Sequence, residues 1–210
     1  MNQDLTDITL VVDRSGSMQT IRSDAEGGIN ALVDDQRRQP GEARITIVQF
    51  DTDVDVVCTG LKPGDVPPYH LVPRGGTALL DAVGTAIVAT GERLAAMREA
   101  ERPALVLFVV VTDGKENSSK EYTKARIQEM VRHQTHVYSW QFTFLGADAD
   151  AFDDARGMGM SASGSARYAK HKIGHAFRGT SSKLSRMRGQ AARGEAVQNA
   201  FTDAEREHMG

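Results

Sequence analysis

The chain has almost no cysteine. Cys58 is the only one in 210 residues, so no intrachain disulfide can form, and packing alone must hold the fold. A chain of this length can bury a sizeable core without staples. Long apolar runs are also missing: none approaches the roughly 18 residues a membrane-spanning helix needs, so no membrane partner is expected. The opening Met1-Asn2-Gln3-Asp4 is polar and acidic, without the basic and apolar regions of a signal peptide. With a single thiol, this makes the cytoplasm the expected location. The six histidines show no metal-ligand spacing. His171 and His175 stand four apart but among lysines, which reads as solvated surface. No glycine-rich loop ending in Lys-Ser or Lys-Thr is present to cradle a phosphate.

Acidic and basic residues are unevenly placed. The net charge is −3, yet residues 155–194 hold nine Lys or Arg and no acid, while residues 1–154 are strongly acidic. Such a basic stretch reads first as a solvated helix face. It also raises nucleic-acid binding through Arg167, Lys170, Lys172, Arg178, Lys183, Arg186, Arg188 and Arg193. Aromatic interleaving is poor there, and no nucleic-acid module matches.

Hydropathy then lays out the elements. Ile8–Val12 is a β-branched apolar run, read as a buried strand. Ile21, Ala25, Ile29, Leu32 and Val33 recur at helical spacing, predicting a helix from about 20 to 38, ended by Pro40-Gly41. Strands at Arg44–Phe50 and Val54–Cys58 are joined by a turn too short for anything but an antiparallel hairpin. A proline- and glycine-rich loop, 60–76, leads to a helix up to about Glu99. Leu105–Val111 is the strongest buried-strand signal. A helix near Lys120–His133, a strand at Val137–Leu145 and a short helix from about Asp150 follow. A weak sixth strand fits within Gly157–Ser165. Ile173, Phe177, Thr180, Leu184 and Met187 form the stripe of a last helix. Strands alternating with helices predict an α/β fold: a mostly parallel sheet with one antiparallel edge strand and helices on both faces. Residues 1–165 read as the main domain. Residues 166–210 read as a basic helical segment packed on it.

In such sheets, sites gather at the carboxyl ends of the strands. Asp13, Ser15 and Ser17 follow the first strand, Thr77 follows Gly75-Gly76, and Asp113 follows the Leu105–Val111 strand. This is a set of two carboxylates and three hydroxyls, without thiolate or imidazole. Hard oxygen ligands suit Mg2+, Mn2+ or Ca2+ and give soft metals little reason to bind. The alternation Asp13-x-Ser15-x-Ser17 lets an extended loop aim three oxygens one way. Any one of these residues alone could be a helix or turn cap.

Asp13-Arg14-Ser15-Gly16-Ser17 resembles the D-x-S-x-S core of the metal-ion-dependent adhesion site of von Willebrand factor A (vWA) domains. Gly75-Gly76-Thr77 with the following Ala78–Ala82 looks like the family's second loop, and Thr112-Asp113-Gly114 like its third. The three occur in family order, and the resemblance covers roughly residues 4–160. It implies a Rossmann-like three-layer vWA fold. It also implies metal ligation by Ser15 and Ser17, by Thr77 directly or through water, and by Asp13 and Asp113 largely through water, with Asp81 supporting the water shell. The implied function is protein binding: a partner's Asp or Glu completes the coordination of a bound Mg2+.

A metal-dependent phosphohydrolase or phosphotransfer enzyme is the rival, since an Asp after the first strand is also where such enzymes place a nucleophile. Haloacid-dehalogenase-like phosphatases need a second Asp two residues on, where Ser15 stands. Receiver domains need an acidic pair upstream, where residues 8–12 are apolar. No histidine stands near the three loops as a base. The chain is therefore expected not to be an enzyme. Asp148, Asp150, Asp153 and Asp154 lack the order of a calcium loop and read as acids of a helix's first turn.

Overall fold

The computed structural model describes residues 1–147 and 150–210; Asp148 lies outside the described residues. Among the described residues, six strands form one sheet: β1 (Asn2–Asp13), β2 (Glu42–Phe50), β3 (Val54–Leu61), β4 (Pro103–Thr112), β5 (Gln141–Gly146) and β6 (Ser165–Arg167). Their order is β3-β2-β1-β4-β5-β6. Only β3 runs antiparallel, at the edge beside β2; the other neighbours are parallel. The helices are α1 (Arg22–Arg38), α2 (Leu79–Ala95), α3 (Lys124–Tyr138), α4 (Ala151–Gly157), α5 (Ile173–Ala192) and α6 (Asp203–Met209).

The period-2 alternation of the central strands divides the core in two. Ile8, Leu10 and Val12 of β1 with Leu105, Leu107, Val109 and Val111 of β4 face α1, α5 and α6. Val11, Val106, Phe108 and Val110 face α2, α3 and α4. Both faces are covered, which is why β4 reads as an unbroken apolar run. The stripe Ile173, Phe177, Thr180, Leu184 and Met187 is buried, and it seats α5 beside α1.

Several elements depart from their sequence-based bounds. β1 begins at Asn2, six residues earlier than the apolar run, because its polar Asp7 is buried against Arg93, whose two terminal nitrogens lie 2.9 Å from its carboxylate oxygens. Val137 and Tyr138 are not strand. They are exposed residues closing α3, which ends at Ser139 in a left-handed conformation (φ 57°). Only Trp140, Phe142 and Phe144 of that alternating row are buried. A short sixth strand, β6, does follow, but at Ser165–Arg167, sharing only Ser165 with the window Gly157–Ser165, whose other residues are helix end and turns. Helix α6 had no counterpart in the hydropathy pattern. A capping box starts it: the Thr202 side chain accepts the Glu205 N–H, and the Glu205 side chain accepts the Thr202 N–H.

The basic stretch is not one solvated face either. Lys183 and Arg188 are buried, Arg186 pairs with Glu205, Arg193 with Glu195, and Lys170 with Asp113. Much of its charge is satisfied inside the molecule.

Candidate metal centre

Register brings the strand ends into one row. Asp13 lies opposite Phe50, Val12 opposite Val111, and Thr112 opposite Gly146. The chain leaves β1 for β2 on one side and later returns to β4 on the other. The crevice above β1 and β4 is therefore the switch point of the sheet, where ligands of open α/β folds sit.

Asp13 is fully buried at the floor of this crevice. Its Oδ1 accepts the Ser15 N–H at 2.6 Å and its Oδ2 the Thr112 hydroxyl at 2.6 Å. Burial drives its carboxyl above the ordinary range. The Thr112 and Ser15 hydrogen bonds pull it back in part, and the neighbouring Asp113 charge adds to the rise. Asp13 therefore holds the first loop to the end of β4. It also contributes a carboxylate that would gain from a nearby cation.

Above it the hydroxyls converge. Ser15 Oγ and Ser17 Oγ are 3.0 Å apart, and Ser17 Oγ donates to Asp113 Oδ1 at 2.5 Å. Gly114 opens the space between the loops. A Cβ placed there would lie 3.4 Å from both Ser17 Oγ and Thr77 Oγ1, and 4.0 Å from Ser15 Oγ. The three hydroxyls thus line one small cradle, with the Asp113 and Asp13 carboxylates beside it. All five residues singled out in the sequence meet here. The donor set is oxygen only, which fits a hard divalent cation, and the Lys170 ammonium lies 2.8 Å from Asp113 Oδ2 at its edge. Among the described residues, no group of three His, Cys, Asp or Glu gathers as a softer or carboxylate-rich alternative.

Two supports for this cradle were not visible in the sequence. The first is an ionic block under loops one and two. Arg14 Nε stands 2.8 Å from Asp51 Oδ2 as an ion contact without an aligned N–H, and Arg14 also pairs with Asp55. Arg74 donates to Asp51 at 2.7 Å. Burial would raise the Asp51 carboxyl, but the Asp53 N–H and the two guanidinium groups outweigh it and hold it low. Backbone bonds continue the block: Arg74 N–H to Arg14 O at 2.8 Å, Gly16 N–H to Gly75 O at 3.2 Å, and Ala78 N–H to Asp51 O at 2.7 Å. Gly75 has φ +66°, and any Cβ there would meet Thr52 Oγ1 at 2.8 Å, so only glycine lets the second loop lie this close.

The second support clamps loop two to the segment after Gly114. Glu116 Oε2 accepts the Leu80 N–H at the start of α2 at 2.9 Å, and Asn117 Oδ1 accepts the Thr77 N–H at 2.9 Å. Asp81 is part of the same clamp. Its two oxygens accept the N–H groups of Lys120, Glu121 and Tyr122, so it holds this backbone in place.

No family model and no curated sequence matches the chain. Solved structures do match in fold. Proximal thread matrix protein 1 from the mussel byssus, in a form with a zinc-occupied MIDAS motif, aligns at TM-score 0.61 and 14% identity over 86% of this chain and 46% of that one. A von Willebrand factor type A protein from Catenulispora acidiphila aligns at 0.58 and 16% identity over 86% and 43%. Manganese-loaded TRAP from Plasmodium vivax aligns at 0.56 and 14% identity over 82% and 72%. The chain thus spans under half the length of the first two. Its fold is that of a vWA domain: a six-stranded, mostly parallel sheet with one antiparallel edge strand between two helical layers.

Proposed function

We propose that this domain is a protein-binding module that works through a divalent cation held by Asp13, Ser15, Ser17, Thr77 and Asp113. The observation that carries this reading is the cradle over Gly114, where three hydroxyls from two loops converge beside two carboxylates. Neutral hydroxyls quench little of a cation's charge, so a bound ion stays strongly attractive to an anion. Mg2+ is the cation proposed for the cell, with Mn2+ or Ca2+ as substitutes; when bound it supplies an electrophilic coordination position. The ligand proposed for that position is an Asp or Glu side chain of a partner protein. The zinc of the byssus protein's MIDAS and the manganese of TRAP support a divalent ion in this fold.

The geometry disfavours the enzymatic alternative. Both oxygens of the fully buried Asp13 already accept hydrogen bonds, from Ser15 and Thr112, so its carboxylate is not presented as a nucleophile. The test is capture of a partner from lysate on the immobilised domain in MgCl2 and in EDTA. A partner retained by wild type in Mg2+ should be lost in EDTA and lost from Ser15→Ala/Ser17→Ala. Retention of the same partner under both conditions contradicts the metal-bridge reading.

A further inference from the structure

The Lys170 ammonium lies against the Asp113 carboxylate, and it comes from outside the three loops. Its Nζ lies 2.8 Å from Asp113 Oδ2, while Ser17 takes Oδ1 of the same carboxylate. The Asp113 side chain is fully buried and that of Lys170 is 44% exposed, so the lysine approaches from the solvent side. Lys170 opens the 3-10 turn Lys170–Lys172, directly before α5.

That turn is fixed on several sides. Tyr168 Oη donates to Thr112 O at 3.1 Å, next to Asp113. The Ala169 N–H donates to Met209 O at 2.8 Å, at the end of α6, and the Lys172 N–H donates to Ala169 O at 2.7 Å. Lys172 Nζ bonds Gly210 O. The ammonium is therefore delivered to the site by a braced piece of backbone.

We propose that Lys170 is an internal counter-cation of the metal site: it neutralises Asp113 when no ion is bound and opposes the ion that enters. This inference rests on the metal-binding reading above. Without an ion, Asp13 and Asp113 are like charges close enough to perturb one another, and one ammonium relieves them. Once a divalent ion arrives, ion and ammonium are like charges sharing one carboxylate. The formal charge of Asp13, Asp113 and Lys170 together then changes from one negative to one positive. The Arg14, Arg74, Asp51 and Asp55 block beneath is balanced and leaves this sum unchanged. Lys170 thus makes the loaded site cationic, which suits an acidic ligand, and keeps the metal-free domain from carrying two unrelieved carboxylates.

Loss of the ammonium should move two quantities in opposite directions. Wild type, Lys170→Met and Lys170→Arg are stripped with EDTA, titrated calorimetrically with MnCl2, and melted in EDTA and in saturating Mn2+. Lys170→Met should bind Mn2+ roughly three- to tenfold more tightly, the range expected for an ion pair with one buried and one half-exposed member. It should melt below wild type in EDTA, and the deficit should close in saturating Mn2+. Lys170→Arg should behave as wild type. Equal or weaker Mn2+ binding by Lys170→Met overturns the inference. A melting deficit that persists in saturating Mn2+ overturns it too, because it assigns Lys170 to packing of the turn. Mn2+ binding by none of the three proteins overturns the metal site itself, and this inference with it.

Discussion

The side-chain oxygen of Asn117 accepts the backbone N–H of Thr77 at 2.9 Å, and Thr77 returns its carbonyl oxygen to the N–H of Asn117 at 3.0 Å. This reciprocal pair ties the second loop to the segment following the third, and Thr77 is placed by it. Asn117→Ala should weaken Mg2+ or Mn2+ binding several-fold, because Thr77 Oγ1 loses its fixed position. The fold should lose only about 1 kcal/mol, the usual worth of one such hydrogen bond. Metal titration and chemical denaturation together check this: unchanged affinity would show that Thr77 is placed by other contacts.

The two adjacent glycines of α1 should respond in opposite ways to alanine. A Cβ on Gly28 would come within 3.0 Å of three atoms of Phe177, where α5 crosses closely, whereas a Cβ on Gly27 meets nothing within 4 Å. Gly28→Ala should destabilise by about 1–3 kcal/mol through overpacking. Gly27→Ala should stabilise by roughly 0.5–1 kcal/mol through helix propensity. Urea midpoints separate them, and equal shifts for the pair would contradict the close α1–α5 approach.

Lys183 is a buried cation with three acceptors. Its Nζ bonds Thr143 Oγ1 at 2.7 Å, Asn199 Oδ1 at 2.9 Å and Gly164 O at 3.1 Å, and stands 3.8 Å from the centroid of Phe201. Burial drives its pKa well below the usual lysine value. Lys183→Met should cost about 2–4 kcal/mol, since it leaves buried acceptors without a donor. A urea midpoint equal to that of wild type would contradict this placement.

Acid stability should depend on Asp51. Its folded carboxyl is held below the ordinary value despite burial, by the Asp53 N–H and by Arg74 and Arg14. The unfolded chain therefore takes up the proton first. The stabilisation is complete above the unfolded value of about 3.9 and is lost as the pH falls through the lower folded value. The difference in melting temperature between wild type and Asp51→Asn should hold steady near neutrality and shrink toward pH 3. A difference that stays constant down to the lowest pH would contradict the assignment.

The central strands and the grouping of Asp13, Ser15, Ser17, Thr77 and Asp113 at their carboxyl ends were legible because their signals are local. Leu105–Val111 is buried on both faces, and Asp13, Ser15 and Ser17 alternate along a single loop. What stayed hidden depends on pairings distant in sequence. Asp7 is strand because Arg93, 86 residues away, neutralises it. Glu116 and Asn117 act on Leu80 and Thr77 across about 40 residues, and Lys170 reaches Asp113 across 57. Such contacts leave no period in a hydropathy pattern. Lys183 looked like surface for the same reason: its acceptors lie on β5, the loop before β6 and the segment before α6. Helix α6 did carry a local signal in Thr202-x-x-Glu205, the signature of a capping box.

The central claim is that Asp13, Ser15, Ser17, Thr77 and Asp113 hold one divalent ion. Calorimetric titration of the EDTA-stripped domain with MgCl2 and with MnCl2 tests it most directly, against Ser15→Ala/Ser17→Ala as the comparison. Wild type should bind one ion per chain. At one hundred times the dissociation constant it should gain about 2.7 kcal/mol of stability, roughly 5–10 °C in melting temperature. The double variant should stay folded, bind neither ion and gain nothing. Equal binding by wild type and variant, or no binding by wild type up to millimolar metal, would contradict the account.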